Sequence, residues 1–329
     1  MNSYSIFKGI VFLFLALAGI PSNLAISVSY AIAIHSGKKI FPTDKIISLI
    51  SIVNTIMLLT RGIPDTLFIF GVKDLFNSTG CKTIIYLSRL SRAMAIGLTC
   101  VLSCLQFATI NPPSSKWAAW NARASKYLMS IVLAILVLNL LLCISSVVYS
   151  LPGSQYVNLT HNQFIFNLGY CKVFFPTKVE YHGHGLMLLA RDVIFVVLMI
   201  LASTAIIHLL YRHQKQMKKI HSSSSQATMP EMKAAKAVVT LVTLYAIFFG
   251  VENTIFLYTM LGNDVNVYLS DVRFLFSILY ATVFPFIIIG TNYNVRKHLK
   301  CFTRENEADS RSDKDQTATS VSHDLPHLP

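Results

Sequence analysis

The stretch YLMSIVLAILVLNLLLCISSVVY, residues 127–149, decides the fold, because it contains no charged side chain over a length that crosses a lipid bilayer. A bilayer-spanning helix needs roughly 20 mostly apolar residues. This stretch therefore predicts a transmembrane helix rather than a strand or a surface helix.

Six further stretches of comparable length and apolarity flank it, and none has the short alternating pattern of a membrane β-barrel. The sequence thus predicts an all-α bundle of seven transmembrane helices. The first stretch is too long for a signal-peptide core and has no clear cleavage site, so we expect it to be retained as a signal anchor. The predicted spans are residues 6–34, 46–70, 82–110, 127–149, 186–210, 235–260 and 272–290.

The low charge content supports the same class of protein. Charged residues make up 13% of the 329 residues, against about 25% in an average soluble domain. So few charges cannot cover the surface of a soluble protein of this size. The composition excludes an ordinary cytosolic enzyme and a disordered chain.

Lysine and arginine are distributed unequally between alternate loops. Eighteen lie on the side that would be cytoplasmic if the amino terminus is extracellular, and five lie on the other side. The positive-inside rule then places the amino terminus outside. The net charge of +13 therefore indicates topology and contact with anionic membrane lipids, and we expect no nucleic-acid partner.

Acceptor sequons and cysteines agree with this topology. The sequons at Asn77 and Asn158 fall in loops assigned to the outside, and Asn158 is the better glycosylation candidate because Asn77 lies close to a span. Cys81 and Cys171 also lie on this oxidising side, where a disulfide between them is chemically reasonable. Cys301 follows the last span in a basic amphipathic stretch and is a palmitoylation candidate.

Ionisable residues within spans are costly unless they face the bundle interior. Arg61 with Asp65, and Asp271 with Arg273, are expected to form ion pairs. Arg89 and Arg92 share a helix face, and Glu252 can neutralise only one of them, which suggests an outer cavity for a small molecule such as an organic acid. The candidate ligand-binding residues are Arg89, Arg92, Glu252, Asp192, Arg191 and Arg273.

The sequence gives little support for retinal binding, metalloenzyme chemistry or metal binding. The last span has no lysine for a retinal Schiff base, and the spans contain no HExxH pattern. Glu180, His182 and His184 are ligand types for a metal, but we expect them to form an exposed polar turn of the outer loop. We expect no catalytic residues, no metal and no cofactor.

Three segments resemble the vomeronasal type-1 receptors. They are the third span with its exit, AIGLTCVLSCLQFATINPPSSKWA (95–118), the fifth span LARDVIFVVLMILAS (189–203), and LLYRHQKQMKKIHSSSS (209–225) followed by PEMKAAKAVVTLVT (230–243). The resemblance runs from about residue 10 to residue 300. Several positions depart from the mammalian vomeronasal pattern and the tail after Cys301 is unusually long, so the chain looks more like the fish olfactory receptors related to that family.

The absence of motifs typical of rhodopsin-like receptors also favours the resemblance to the vomeronasal type-1 receptors. The third span exits through Ala108-Thr109-Ile110 without the acidic-Arg-aromatic triplet of rhodopsin-like receptors, the sixth span has no proline, and the seventh reads Phe284-Pro285-Phe286. Bitter-taste receptors also lack those motifs and are the alternative, and a non-signalling transporter is a more distant one.

The resemblance implies a G-protein-coupled chemosensory receptor in the plasma membrane of olfactory or vomeronasal sensory neurons. Such a receptor would detect an odorant or pheromone and signal through an inhibitory-class heterotrimeric G protein. The family's disulfide and glycosylated second outer loop match Cys81, Cys171 and Asn158. Residues 1–300 would form the receptor domain, and the polar segment 301–329 a disordered cytoplasmic tail.

Overall fold

Seven long helices make up most of the computed structural model. It describes residues 3–38, 40–72, 75–110, 123, 125–152, 165–220, 229–261, 267–291 and 295–296. The helices are α1 (Ser3–His35), α2 (Pro42–Ile69), α3 (Ser78–Ile110), α4 (Leu128–Val148), α5 (Lys178–Ile220), α6 (Met229–Leu261) and α7 (Val267–Thr291). Each contains a segment long and apolar enough to cross a membrane, which confirms the seven-span prediction.

The fifth helix differs most from its predicted bounds. It begins at Lys178 rather than near residue 186, so the expected polar turn of Glu180, His182 and His184 is part of a helix. Hydropathy locates the apolar centre of a span, and polar residues can extend the helix beyond it. The expectation of full exposure is wrong for His184, which is buried.

The helices differ in how much of their surface faces other helices. Within the apolar segment of α3, 72% of the residues are buried inside the protein, whereas the share in both α4 and α5 is 17%. A helix surrounded by protein has little surface left for lipid, so α3 is the central helix. Polar side chains in the middle of α3, such as Ser91 and Thr99, are buried in the bundle interior, where such residues can form a site.

The second helix is interrupted where it approaches this interior. Residues Pro42–Met57 are α-helical, Leu58–Gly62 form a π-helical turn, and α-helix resumes at Ile63–Ile69. Pro64 follows the π turn and has no N–H to donate to the preceding turn, which favours such an irregularity. The π turn contains Arg61, which is buried.

A small antiparallel sheet, which was not predicted, covers one end of the bundle, called the sheet end below. Its strands are β1 (Ser150–Pro152), β2 (Ile165–Asn167) and β3 (Cys171–Phe174), in the order β1-β3-β2. Gly169, in the turn between β2 and β3, has a φ of 85°, which favours glycine. Cys171 at the start of β3 is joined by a disulfide to Cys81 of α3, with a Cα–Cα distance of 5.8 Å. The disulfide therefore ties the sheet to the central helix.

Candidate functional site

A cavity of about 100 Å³ lies beneath the sheet, between α2, α3, α5, α6 and α7. Leu168, which follows β2, forms part of its wall, so the sheet segment covers the cavity. Further apolar wall comes from Ile85, Leu188, Phe256 and Phe274. The remaining wall is strongly charged, since the lining includes Arg61, Arg89, Arg92, Arg191, Arg273, Asp192 and Glu252.

Arg92 connects three helices within this wall. Its Nη1 donates to Asp192 Oδ2 of α5 at 2.8 Å, and its Nε lies 3.1 Å from Glu252 Oε1 of α6. Its guanidinium also lies over the ring of Phe249, 5.3 Å from the ring centre. Both carboxylates are at least nine-tenths buried. This arrangement satisfies the charge of Arg92 without any ligand.

Asp192 serves a second arginine as well. Arg191 Nη2 lies 2.6 Å from Asp192 Oδ1, and Arg191 Nη1 donates to Asn139 Oδ1 of α4 at 3.2 Å. Asp192 is 1% exposed. One buried carboxylate thus holds two guanidinium groups, and it links α3, α4 and α5 through them.

Arg89 lies three residues before Arg92 and has different partners. Its Nη1 donates to Ser146 Oγ of α4 at 3.0 Å and lies 2.6 Å from His184 Nε2 of α5. Because a guanidinium has no acceptor, His184 must accept through Nε2, which leaves Nδ1 to donate to Ser145 Oγ at 2.9 Å. His184, expected in an exposed turn, instead positions a cavity arginine.

Arg61 and Arg273 complete the cationic lining on the side of α2 and α7. Arg61 Nη1 donates to Ser277 Oγ at 3.1 Å, and its guanidinium carbon lies 4.6 Å from the centre of the Phe274 ring. The guanidinium carbon of Arg273 lies 5.1 Å from the centre of the Phe256 ring and 5.4 Å from that of Phe274. In both arginines the Nε is buried and has no hydrogen-bond partner among the described residues.

The described lining therefore carries five guanidinium groups and two carboxylates, an excess of three positive charges. Burying charge without compensation is costly in a low-dielectric interior. A guest with negative charge would reduce that cost, whereas a cationic guest would raise it. The cavity is chemically suited to an anion with an apolar portion.

The six residues predicted to bind a ligand all line this one cavity. Whether they contact a ligand stays a prediction. The role of Asp192 as a shared partner and the contributions of Asn139, His184 and the aromatic rings were not predicted from the sequence. No local pattern indicates these residues, because their contacts join different helices.

Both ion pairs expected within single helices are wrong. Arg61 and Asp65, both described, form no ion pair, because the Arg61 guanidinium points across to α7. Asp271 pairs with Lys8 of α1 at 2.5 Å instead of with Arg273. Residues two apart lie on different sides of a helix, so Asp271 faces α1 while Arg273 faces the cavity.

The covering segment is held in place by more than the disulfide. Phe175 packs between Tyr149, Tyr181 and the His184 ring, with ring centres 5.1 to 5.8 Å apart. Tyr170 is buried as well, and the loss of hydration raises the pKa of its phenol, so that the group stays neutral. This apolar contact surface rests directly on the first turns of α5.

Two predicted modification sites and the predicted tail lie outside the described residues: Asn158, Cys301 and 301–329. Asn77 is described and exposed, and its Oδ1 accepts a hydrogen bond from the Gly80 backbone N–H at 2.7 Å. Asn77 thus caps the start of α3, and its glycosylation stays a prediction.

A bundle of seven membrane-spanning helices, with a polar cavity under a covering segment tied to the third helix, defines the class of G-protein-coupled receptors. Comparison with known proteins identifies the branch. The family model described as the vomeronasal organ pheromone receptor family matches residues 6–301.

Individual relatives agree with the family match. The chain is 33% identical over 311 residues to olfactory receptor class A-like protein 1 of Danio rerio, covering 94% of this chain and 97% of that receptor. It is 30% identical over 210 residues to vomeronasal type-1 receptor 3 of Homo sapiens, covering 64% of this chain and 67% of that receptor.

The chain belongs to the vomeronasal type-1 receptor family. It is a multi-pass membrane protein and a chemosensory G-protein-coupled receptor, not an enzyme. The resemblance found in the sequence is confirmed. The two alternatives, a bitter-taste receptor and a transporter, are not favoured by these relatives.

Proposed function

We propose that this receptor detects a small organic acid in the cavity beneath the sheet and signals through an inhibitory-class heterotrimeric G protein. The observation that carries the proposal is the excess of three positive charges in a partly apolar lining. A carboxylate can bind a guanidinium in a two-point fork, whereas an amine would be repelled by the five arginines.

The size of the cavity limits the ligand. At about 100 Å³ it is smaller than the roughly 150 Å³ cavity that holds benzene, and well below the 300 Å³ or so of a typical drug-sized pocket. Short-chain acids therefore fit this scale better than aromatic or steroid-sized compounds. The apolar walls formed by Ile85, Leu188 and Phe256 would contact the hydrocarbon part.

The proposal includes an orientation and a location. The sheet end faces the outside, the amino terminus is extracellular, and the receptor acts in the plasma membrane of olfactory or vomeronasal sensory neurons. The loop-charge bias supports this orientation. An amino-terminal epitope should be accessible on intact cells and a carboxy-terminal one only after permeabilisation. Substitution Asn158→Gln should remove a glycan-dependent mobility shift.

The class of ligand is tested by expressing the receptor in cells that lack other olfactory receptors and measuring G-protein activation after each compound is added. The probes are propanoate and butanoate, each with its uncharged amide and the amine of matched length. We expect responses to the acids, weaker responses to the amides and none to the amines. Pertussis toxin should abolish them if the G protein is of the inhibitory class. Equal responses to acids and amides would contradict the proposal.

A further inference from the structure

The charged lining divides into two parts that differ in how well their charges are satisfied. Arg92 and Arg191 share the buried carboxylates Asp192 and Glu252 at 2.6 to 3.1 Å. On the opposite side, Arg61 donates to the neutral hydroxyl of Ser277 and forms no ion pair within the described part of the chain. Arg89 of α3 has Ser146 and His184 as hydrogen-bond partners, so the side of α2 and α7 carries the two lining guanidinium groups whose Nε lacks an acceptor among the described residues.

The two guanidinium groups on this side both pack against the Phe274 ring. Their central carbons are 4.6 and 5.4 Å from the centre of the same Phe274 ring. Each has a buried Nε–H for which the described residues supply no acceptor, and Arg61 is 7% exposed. Ring stacking stabilises a cation, but it supplies no acceptor for these N–H groups and increases the crowding of like charges.

The carboxylates described nearby do not supply that acceptor. Asp271 pairs with Lys8 on the side of α1, and Glu252 and Asp192 are paired with Arg92 and Arg191. Asp65 forms no ion pair with Arg61, although both are described, and it does not line the cavity. An anion delivered from outside the chain is the group that fits this place.

We infer that Arg61 and Arg273 form the subsite that binds the carboxylate of the ligand, with the Phe256 and Phe274 rings as its apolar floor. The inference rests on the proposed function and deepens it. It assigns ligand contact to Arg61, which the sequence had placed in an ion pair. It also assigns Arg92 and Arg191 to holding α3, α4, α5 and α6 together rather than to ligand contact.

The assignment has a structural consequence for binding. The ligand carboxylate lies between α2 and α7 and provides acceptors for both Nε–H groups. Its single negative charge offsets part of the repulsion between the two guanidinium groups that pack against the Phe274 ring. Its hydrocarbon part lies towards Leu168 and Ile85, beneath the sheet. An uncharged amide offers a single weak acceptor and leaves the repulsion in place.

The test uses three variants: Arg61→Gln, Arg273→Gln and Arg61→Lys. We expect either glutamine variant to raise the butanoate concentration needed for half-maximal activation by roughly tenfold or more, the effect of losing one charge-assisted hydrogen bond. The half-maximal butanoate concentration of Arg61→Lys should lie between that of the glutamine variants and that of the wild type, because lysine keeps the positive charge but lacks the forked geometry of a guanidinium. The acid-to-amide preference should shrink in the same order.

Lys82→Gln is the matched control. Lys82 lies on α3 at the sheet end and does not line the cavity, so its substitution removes one positive charge from outside the site. It should leave the half-maximal concentration within about twofold. If Lys82→Gln raised the half-maximal butanoate concentration as much as the glutamine variants do, a general loss of positive potential would explain all three results and the assignment would be overturned.

A second measurement separates binding from impaired folding or coupling. Butanoate should raise the thermal unfolding midpoint of purified wild-type receptor in detergent and, at the same concentration, should raise the midpoint of Arg61→Gln clearly less. If the wild type responds to acids and both glutamine variants keep their butanoate sensitivity, this inference fails and the proposed function stands. If the wild type responds equally to acids and amides, the proposed function fails with it.

Discussion

The shared carboxylate of Asp192 offers the sharpest prediction about stability. Asp192→Asn and Glu252→Gln each replace one buried carboxylate with an amide of the same shape. The two changes remove different numbers of ion pairs, because Asp192 holds both Arg92 and Arg191 while Glu252 holds Arg92. We therefore expect Asp192→Asn to be clearly the more destabilising substitution.

The expected loss of stability in each variant follows from the partners that Arg92 and Arg191 keep. In Glu252→Gln, Arg92 keeps Asp192 at 2.8 Å, so the loss is that of one charged hydrogen bond, about 1.5–3 kcal/mol. In Asp192→Asn, Arg191 keeps the neutral Asn139 amide and Cys143 thiol, and no other ion pair of Arg191 exists among the described residues. Leaving a buried charge without its partner costs about 3–5 kcal/mol.

The assay is thermal unfolding of purified, ligand-free receptor in detergent at one fixed scan rate. With about 2 °C per kcal/mol for a large domain, the midpoint should fall by about 3–6 °C in Glu252→Gln and by about 6–10 °C in Asp192→Asn. Lys82→Gln should stay within about 1 °C, because it removes no buried partner.

A double substitution distinguishes a charge effect from a packing effect. Adding Arg191→Gln to Asp192→Asn removes the uncompensated charge, so the midpoint should recover in part rather than fall further. The reasoning would be refuted if Glu252→Gln lowered the midpoint as much as Asp192→Asn, or if the double substitution were fully additive.

Two further predictions concern the segment that covers the cavity. Cys171→Ser opens a disulfide to Cys81 that closes a loop with a sequence separation of 90, so we expect a loss of about 4.6 kcal/mol and the same low midpoint with or without reductant. Gly169→Ala should cost about 1–3 kcal/mol, because its φ is +85° and a Cβ would lie 2.7 Å from the Phe68 ring. Gly183→Ala is its control, since a Cβ there meets nothing within 4 Å; a loss as large as that of Gly169→Ala would contradict the explanation.

Much of the site's composition could be predicted because charged residues are rare within membrane spans. Each such residue stands out against an apolar background, and the cost of burial predicts that it faces the interior. All six residues chosen on this ground line one cavity. The cost of burial thus indicates which side chains are inside, without information about their neighbours.

The pairing of those charges could not be predicted in the same way. The expected pairs were close in sequence, whereas the partners of Arg92 lie 100 and 160 residues away. Asp271 finds Lys8 at a separation of 263 residues. Many arginine–carboxylate combinations satisfy the same composition, and only helix packing selects one of them.

The sequence by itself determined the seven spans and the family, because the length and apolarity of each span and the spacing of the family's motifs are local properties. The tertiary structure decided which charges remain unsatisfied. It places Asp192 between two arginines and turns Arg61 from Asp65 towards Phe274. Electrostatic compensation depends on distances between helices, so the excess positive charge near α2 and α7 becomes visible only when the bundle is assembled.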